Sequence, residues 1–172
     1  MSFFGAVVSL FRKPQAPLRT AQAVAVLAAA FIGGWEGYAP VAVHNSFDPR
    51  SVITIGHGLT NYDLPGLKAG QKCGKEVDCA ALFQKAMGKY DTMLLRHVHV
   101  AMPPHRHAAM ISFVYNVGEG NLARSSVVRY LNAGQTTKAC NALLLWTKAN
   151  GRVLKGLVNR RKAEREWCLR HD

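Results

Sequence analysis

The chain has 172 residues, 49% of them hydrophobic, which supplies one core with a short extra segment and leaves little room for two full domains. Its 22 Lys and Arg against 10 Asp and Glu give a formal charge of +12, a field that favours an anionic partner such as nucleic acid, anionic lipid or an acidic bacterial wall. The four cysteines, Cys73, Cys79, Cys140 and Cys168, form no CxxC pair and lack the spacing of a zinc site. They read as two disulfides of a chain that leaves the cytoplasm, with Cys73–Cys79 and Cys140–Cys168 as the favoured pairing because the first closes a short local loop.

Residues 1–19 contain Arg12, Lys13 and Arg19 and no acid, and Thr20–Trp35 (TAQAVAVLAAAFIGGW) has no charge at all. A basic flank followed by an apolar run is an export pattern with the N-terminus in the cytoplasm. Sixteen helical residues span roughly 24 Å, short of a hydrocarbon core of about 30 Å, and the run is rich in Ala rather than Leu. Three readings follow: a cleaved signal peptide with a site near Ala28-Ala29-Ala30, an uncleaved segment that enters the membrane and later leaves it, or an Ala-rich core helix. The uncleaved segment is preferred, which divides the chain into an export segment, 1–35, and a main domain, 36–172. The stretch Phe3–Phe11 is too short to span and suits the membrane interface.

After Gly37, Pro, Asn and Asp punctuate a loop-and-strand region, and the β-branched run Val52–Ile55 predicts a small antiparallel sheet. Helical spacing of apolar residues predicts a helix over Lys75–Val98, ended by Pro103-Pro104, and a second to about Asn116. Further helices are predicted at Ser125–Leu131, Thr137–Trp146 and Val158–Leu169, with Gly118 and Gly120 as a turn. A small sheet followed by a run of helices is an α+β plan.

The chain is poor in acids, so candidates for acid/base chemistry are few. Hydrolysis of a glycosidic bond needs one protonated and one ionised carboxyl group. Glu36 stands beside Trp35 at the end of an apolar run, a setting that desolvates a carboxyl group and suits a general acid. Asp48 lies in the polar stretch HNSFDPR beside Arg50 and suits the ionised role, while Thr54, heading TIGHG, is placed to hold a water.

Glu36-Gly37, Asp48-Pro49 and Thr54-Ile55-Gly56-x-Gly58-x-Thr60, followed in order by SFVYNVGEGN (Ser112–Asn121), SSVVRYLNAG (Ser125–Gly134) and GLVNRRKAEREWC (Gly156–Cys168), resemble the blocks of phage-type lysozymes, glycoside hydrolase family 24. The resemblance covers about residues 36–170. It implies a lysozyme-like α+β fold, a small antiparallel sheet region before a mainly helical lobe with an N-terminal apolar helix. It implies Glu36 as general acid, Asp48 as second carboxylate, Thr54 as third member, and inverting hydrolysis between N-acetylmuramic acid and N-acetylglucosamine. Asn116 and Gly118 fall in the family's NVG turn and are implied to line the substrate cleft. Three more residues than usual separate Glu36 from Asp48, and Asn45 stands at the usual spacing; the six-residue step from Asp48 to Thr54 is kept. Leu59 and Ala86 stand where the family often has a His and an Asp, so both members of a structural ion pair are replaced together.

The apolar run before Glu36 also resembles that of signal-arrest-release endolysins, which implies an enzyme exported to the periplasm, first tethered to the inner membrane and then released onto peptidoglycan; a monomer is expected. With Thr20–Trp35 embedded, Glu36 is pinned at the bilayer surface, so release and refolding would activate it. No cofactor or metal is expected: His97, His99, His105 and His107 (HVHVAMPPHRH) fall at a helix end and proline break. No basic-aromatic module points to nucleic acid. Phe113, Tyr115 and Trp146 read as core, and Arg160, Arg161 and Lys162 as either a wall-contacting or a solvated helix face. Two rival readings are a lytic transglycosylase, which needs one acid and no water, and a non-catalytic cationic protein that disrupts membranes or walls.

Overall fold

A computed structural model describes residues 18–44, 52–74 and 76–170. Among these, seven α-helices, five short strands and one 3-10 turn form an α+β molecule in which the sheet precedes most of the helices. Helix α1 spans Leu18–Gly33, and every fourth residue of one stripe, Val24, Ala28 and Ile32, is buried. That stripe packs on α3 (Pro104–Val117) and on α2 (Cys79–His97). Helix α3 is the centre of the molecule: Ala108–Val114 are all 0% exposed, as expected of a helix apolar on every side.

The sheet has the order β1 (Ala39–His44), β2 (Ile53–Gly56), β3 (Leu59–Thr60), antiparallel throughout, with Val43 opposite Thr54 and Thr54 opposite Thr60. The segment after β3 is stitched to the outer side of β1 by Ala42 N–H to Gln71 O (2.8 Å), Gly70 N–H to Ala42 O (2.9 Å) and Cys73 N–H to Pro40 O (2.9 Å). Asp63 ties β3 to α2, accepting from the Thr60 backbone N–H at 3.1 Å and from Lys89 Nζ at 2.8 Å. Leu59 and Ala86 are both buried in the apolar core, so the exchange of a charged pair for two apolar side chains leaves no buried charge unpaired.

Helix α2 begins at Cys79, later than its apolar periodicity suggests. Asp78 caps it, its carboxylate accepting from Ala81 N–H. Pro104 opens α3 at a position whose N–H needs no partner. The expected turn at Gly118–Gly120 is tighter than a loop: Gly118 (φ 80°) ends α3 and the next residue starts α4 (Glu119–Arg124). Then come α5 (Ser126–Asn132), α6 (Thr136–Ala142), a 3-10 turn (Leu143–Leu145), a hairpin of β4 (Lys148–Ala149) and β5 (Arg152–Val153), and α7 (Lys155–Leu169). Apolar periodicity leaves this hairpin unassigned. Its signal is Asn150-Gly151, with φ of 50° and 75°, the two left-handed residues of a primed hairpin turn.

Two disulfides join these parts, Cys73–Cys79 at the start of α2 and Cys140–Cys168 between α6 and α7. Their sequence separations of 6 and 28 correspond to about 2 and about 3.5 kcal/mol of unfolded-state entropy. Reduction is expected to lower the urea midpoint markedly. Equal midpoints with and without reductant would show that the two loops do not constrain the unfolded chain.

Candidate active site

Glu36 leaves α1 at a fixed point, because the N–H groups of Trp35 and Glu36 both donate to Ile32 O, at 2.8 and 3.1 Å. Docking of the Val24–Ala28–Ile32 stripe therefore sets where Glu36 stands. The neighbours that matter to its carboxylate differ from the apolar ones suggested by sequence: Trp35 is 38% exposed, and Glu36 Oε1 accepts from Arg160 Nη1 of α7 at 2.5 Å. The pair is lopsided in exposure, 26% for the Glu36 side chain and 5% for Arg160. The acid is open to solvent while its partner is not.

The other oxygen of Glu36 faces the β2–β3 turn. A Cβ built on Gly58 (φ 86°) would lie 3.6 Å from Glu36 Oε2 and 3.0 Å from the Tyr115 hydroxyl. Tyr115, from α3, donates that hydroxyl to His57 O at 2.8 Å and so holds the turn in place. Its ring meets Tyr90 edge-on, with centroids 4.8 Å apart, and lies 6.0 Å from the Arg160 guanidinium carbon. Burial, then the charge of Glu36, drives the Tyr115 hydroxyl well above its ordinary pKa. Tyr90 is pushed up to about 12 by burial and by Asp63. Both shifts favour the protonated phenol, which is the form that donates.

Arg160 is itself positioned by a buried network. It donates through Nε to Glu164 Oε1 (3.1 Å) and through Nη2 to the carbonyl and hydroxyl oxygens of Ser112 (3.3 Å each). Glu164, 0% exposed, also accepts from Ser112 Oγ at 2.6 Å and from Arg161 Nη2 at 2.8 Å. Burial pushes the Glu164 carboxyl up against the pull of Arg161 and Arg160, and pushes the Arg161 guanidinium down. This corrects both sequence readings of Arg160 and Arg161. At 4% and 0% exposed they form neither a wall-contacting nor a solvated face, and only Lys162 of the three is exposed.

Of the remaining residues singled out by sequence, Thr54 is half-buried in the central strand β2, and Asp48 lies outside the described residues. Asn116 is exposed on the last turn of α3, one residue past Tyr115, and Gly118 closes that helix with its N–H on Val114 O. Phe113 is fully buried and packs edge-on against Trp146, so those two are core, whereas Tyr115 belongs to the site. His97 faces Glu119 at 3.2 Å and His107 faces Asp91 at 2.5 Å. Among the described residues no group of three or more His, Cys, Asp or Glu is disposed to hold a metal. Sequence reasoning named Tyr115, Gly58 and Arg160 without these roles and gave none to Ser112 or Glu164; the i,i+4 spacing of Arg160 and Glu164 was the one local signal.

Gly58→Ala tests the geometry. The left-handed backbone adds about 1–2 kcal/mol of strain, and the methyl group crowds the Tyr115 hydroxyl. A small displacement of a reacting group is expected to cost about 10- to 100-fold in turnover. Unchanged rates on purified peptidoglycan would mean that the turn does not border the reacting atoms.

The chain that carries this acid, its buried guanidinium and the glycine beside it is similar to known proteins. The phage lysozyme family matches residues 33–164. A signal-arrest-release endolysin of bacteriophage PS119 is 36% identical over 138 residues, 80% of each chain. Among solved structures, the muramidase domain of SpmX from Asticaccaulis excentricus superposes with a TM-score of 0.72 at 27% identity, covering 84% of this chain and 95% of that one. A variant of P22 lysozyme gives a TM-score of 0.72 at 27% identity, covering 83% and 95%. This chain therefore belongs to the phage lysozyme family, in its signal-arrest-release endolysin subgroup, and is a muramidase glycoside hydrolase that lyses peptidoglycan.

Proposed function

We propose that the enzyme hydrolyses the β-1,4 bond between N-acetylmuramic acid and N-acetylglucosamine with inversion. Glu36 protonates the leaving oxygen, Asp48 takes a proton from the attacking water, and Thr54 helps to hold that water. Asn116 and Gly118 contact the glycan. The observation that supports this reading is the placement of Glu36: a solvent-open carboxylate held by Arg160 where the sheet meets the helices, with only hydrogen on Gly58 facing its second oxygen. Placing a proton donor within reach of the scissile bond is what general-acid catalysis requires.

Residues 1–35 serve as the export segment and 36–172 as the catalytic domain. Among the described residues no helix is long and apolar enough to cross a membrane. The stripe that would lie in lipid, Val24–Ala28–Ile32, is the one buried against α3 here. It cannot be in both places, so the tethered form in the periplasm lacks a placed Glu36, and release lets a monomer assemble its site. Mass spectrometry of muropeptides tests the chemistry. Water-added reducing muramic ends with the native enzyme and none with Glu36→Gln are expected. Anhydro ends would identify a transglycosylase, and intact lysis by the variant would sink the catalytic reading.

A further inference from the structure

Between Glu119 and Glu164 the chain has no acidic residue and nine Lys or Arg. Arg160 and Arg161 are buried in the network described above, and the other seven are exposed. The β4–β5 hairpin lies in this acid-free stretch. Lys148 pairs with Val153 and Ala149 with Arg152, so one face shows Lys148 and Val153 and the other Ala149 and Arg152. All four residues are exposed, and neither face of the hairpin is covered. A two-stranded hairpin with no covered face has little to hold it in water.

Its large apolar side chains lie toward its open end, Val153 on the face of Lys148 and Leu154, the next residue of extended chain, on the face of Arg152. Leu154 donates its N–H to Thr147 O at 3.0 Å, which sets Leu154 beside the strand that leaves Leu145 two residues earlier. Leu145 is 74% exposed, Val153 59% and Leu154 46%. Lys148, Arg152 and Lys155 are interleaved with them and also exposed. We propose that this hairpin, with the 3-10 turn before it, is a lipid-contacting surface that takes an anionic bilayer, independently of the apolar segment before Glu36. Leucine and valine tips enter the acyl boundary while the three cations meet lipid phosphates, the division of labour of interfacial segments. Lipid fits better than glycan here. A sugar polymer would engage the charges but leave three aliphatic side chains in water, and the exposed set offers no ring for a sugar face to stack on.

Hydrogen–deuterium exchange on the full, disulfide-intact chain tests this. Vesicles of phosphatidylglycerol and phosphatidylethanolamine should slow exchange in residues 144–155 by about tenfold or more, and phosphatidylcholine vesicles should not. The double variant Leu145→Asp/Val153→Asp should lose that protection while still digesting purified peptidoglycan. In case those acids disturb folding, Lys148→Gln and Arg152→Gln provide a milder pair, each expected to weaken anionic-vesicle binding about fivefold. Protection confined to residues before Glu36 would overturn the proposal. So would protection of 144–155 by peptidoglycan fragments in place of anionic vesicles.

Discussion

Glu36→Gln is expected to fold normally and to lose turnover by about 10²- to 10⁴-fold, the range associated with a positioned general acid. The amide keeps the shape of the side chain and an oxygen for Arg160 to bond. Arg160 retains Glu164 and the two oxygens of Ser112 as partners, so the buried network survives. The measurement is a paired one, digestion rate on purified peptidoglycan against thermal melting. A fall in rate with a melting temperature within a degree or two of native assigns the loss to chemistry. A fall in both would mean that the Glu36–Arg160 ion pair holds α1 to α7 as well as serving the reaction.

Glu164→Gln is expected to have the largest effect on stability. Glu164 is the counter-charge for two guanidinium groups, one 5% and one 0% exposed at the side chain, and nothing else in the described network carries a negative charge except Glu36. Removing one member of a buried ionic group typically costs about 3–5 kcal/mol because the remaining charge is left uncompensated. For a chain of this size that is a fall in melting temperature of roughly 6–20 °C. The protein that remains folded at low temperature should also turn over more slowly, since Arg160 has lost half of what aims it at Glu36. A variant that melts like the native enzyme would show that water has entered to solvate Arg160 and Arg161, and that the cluster is wetter than its burial implies. Replacing Glu164 with Asp separates the two roles, because it restores charge but shortens the reach. Recovery of stability without recovery of rate would make Glu164 a positioning residue in the strict sense.

The parts of this molecule written locally in the chain were legible before any coordinates. Apolar periodicity marked α2, α3 and α7 to within a few residues, the β-branched run at Val52–Ile55 marked the middle strand, and Pro103-Pro104 marked where α3 could begin. Glu36 stood out because the chain has so few acids. What surrounds Glu36 was not legible, for a physical reason: Arg160 is 124 residues away, and no periodicity encodes a contact of that span. Tyr115 looked like core because its ring is core; only its hydroxyl, on the His57 carbonyl, reveals the second role. Arg160 and Arg161 looked like surface because arginines usually are. Glu164, four residues on, was the clue that they could be buried together. The hairpin escaped notice because two-residue strands have no measurable period, although Asn150-Gly151 announces the turn.

The bracing of Glu36 by Arg160 has a consequence for when the enzyme can exist. Synthesis runs from the N-terminus, so the ribosome delivers Glu36 long before it delivers the arginine that aims it. On the proposed mechanism the last helix must be seated on α3 beneath Ser112 before Glu36 is held where it can act. A chain that stops before Arg160 lacks the partner that holds Glu36. Placement of Glu36 is thereby tied, through a single ion pair, to a helix made almost last.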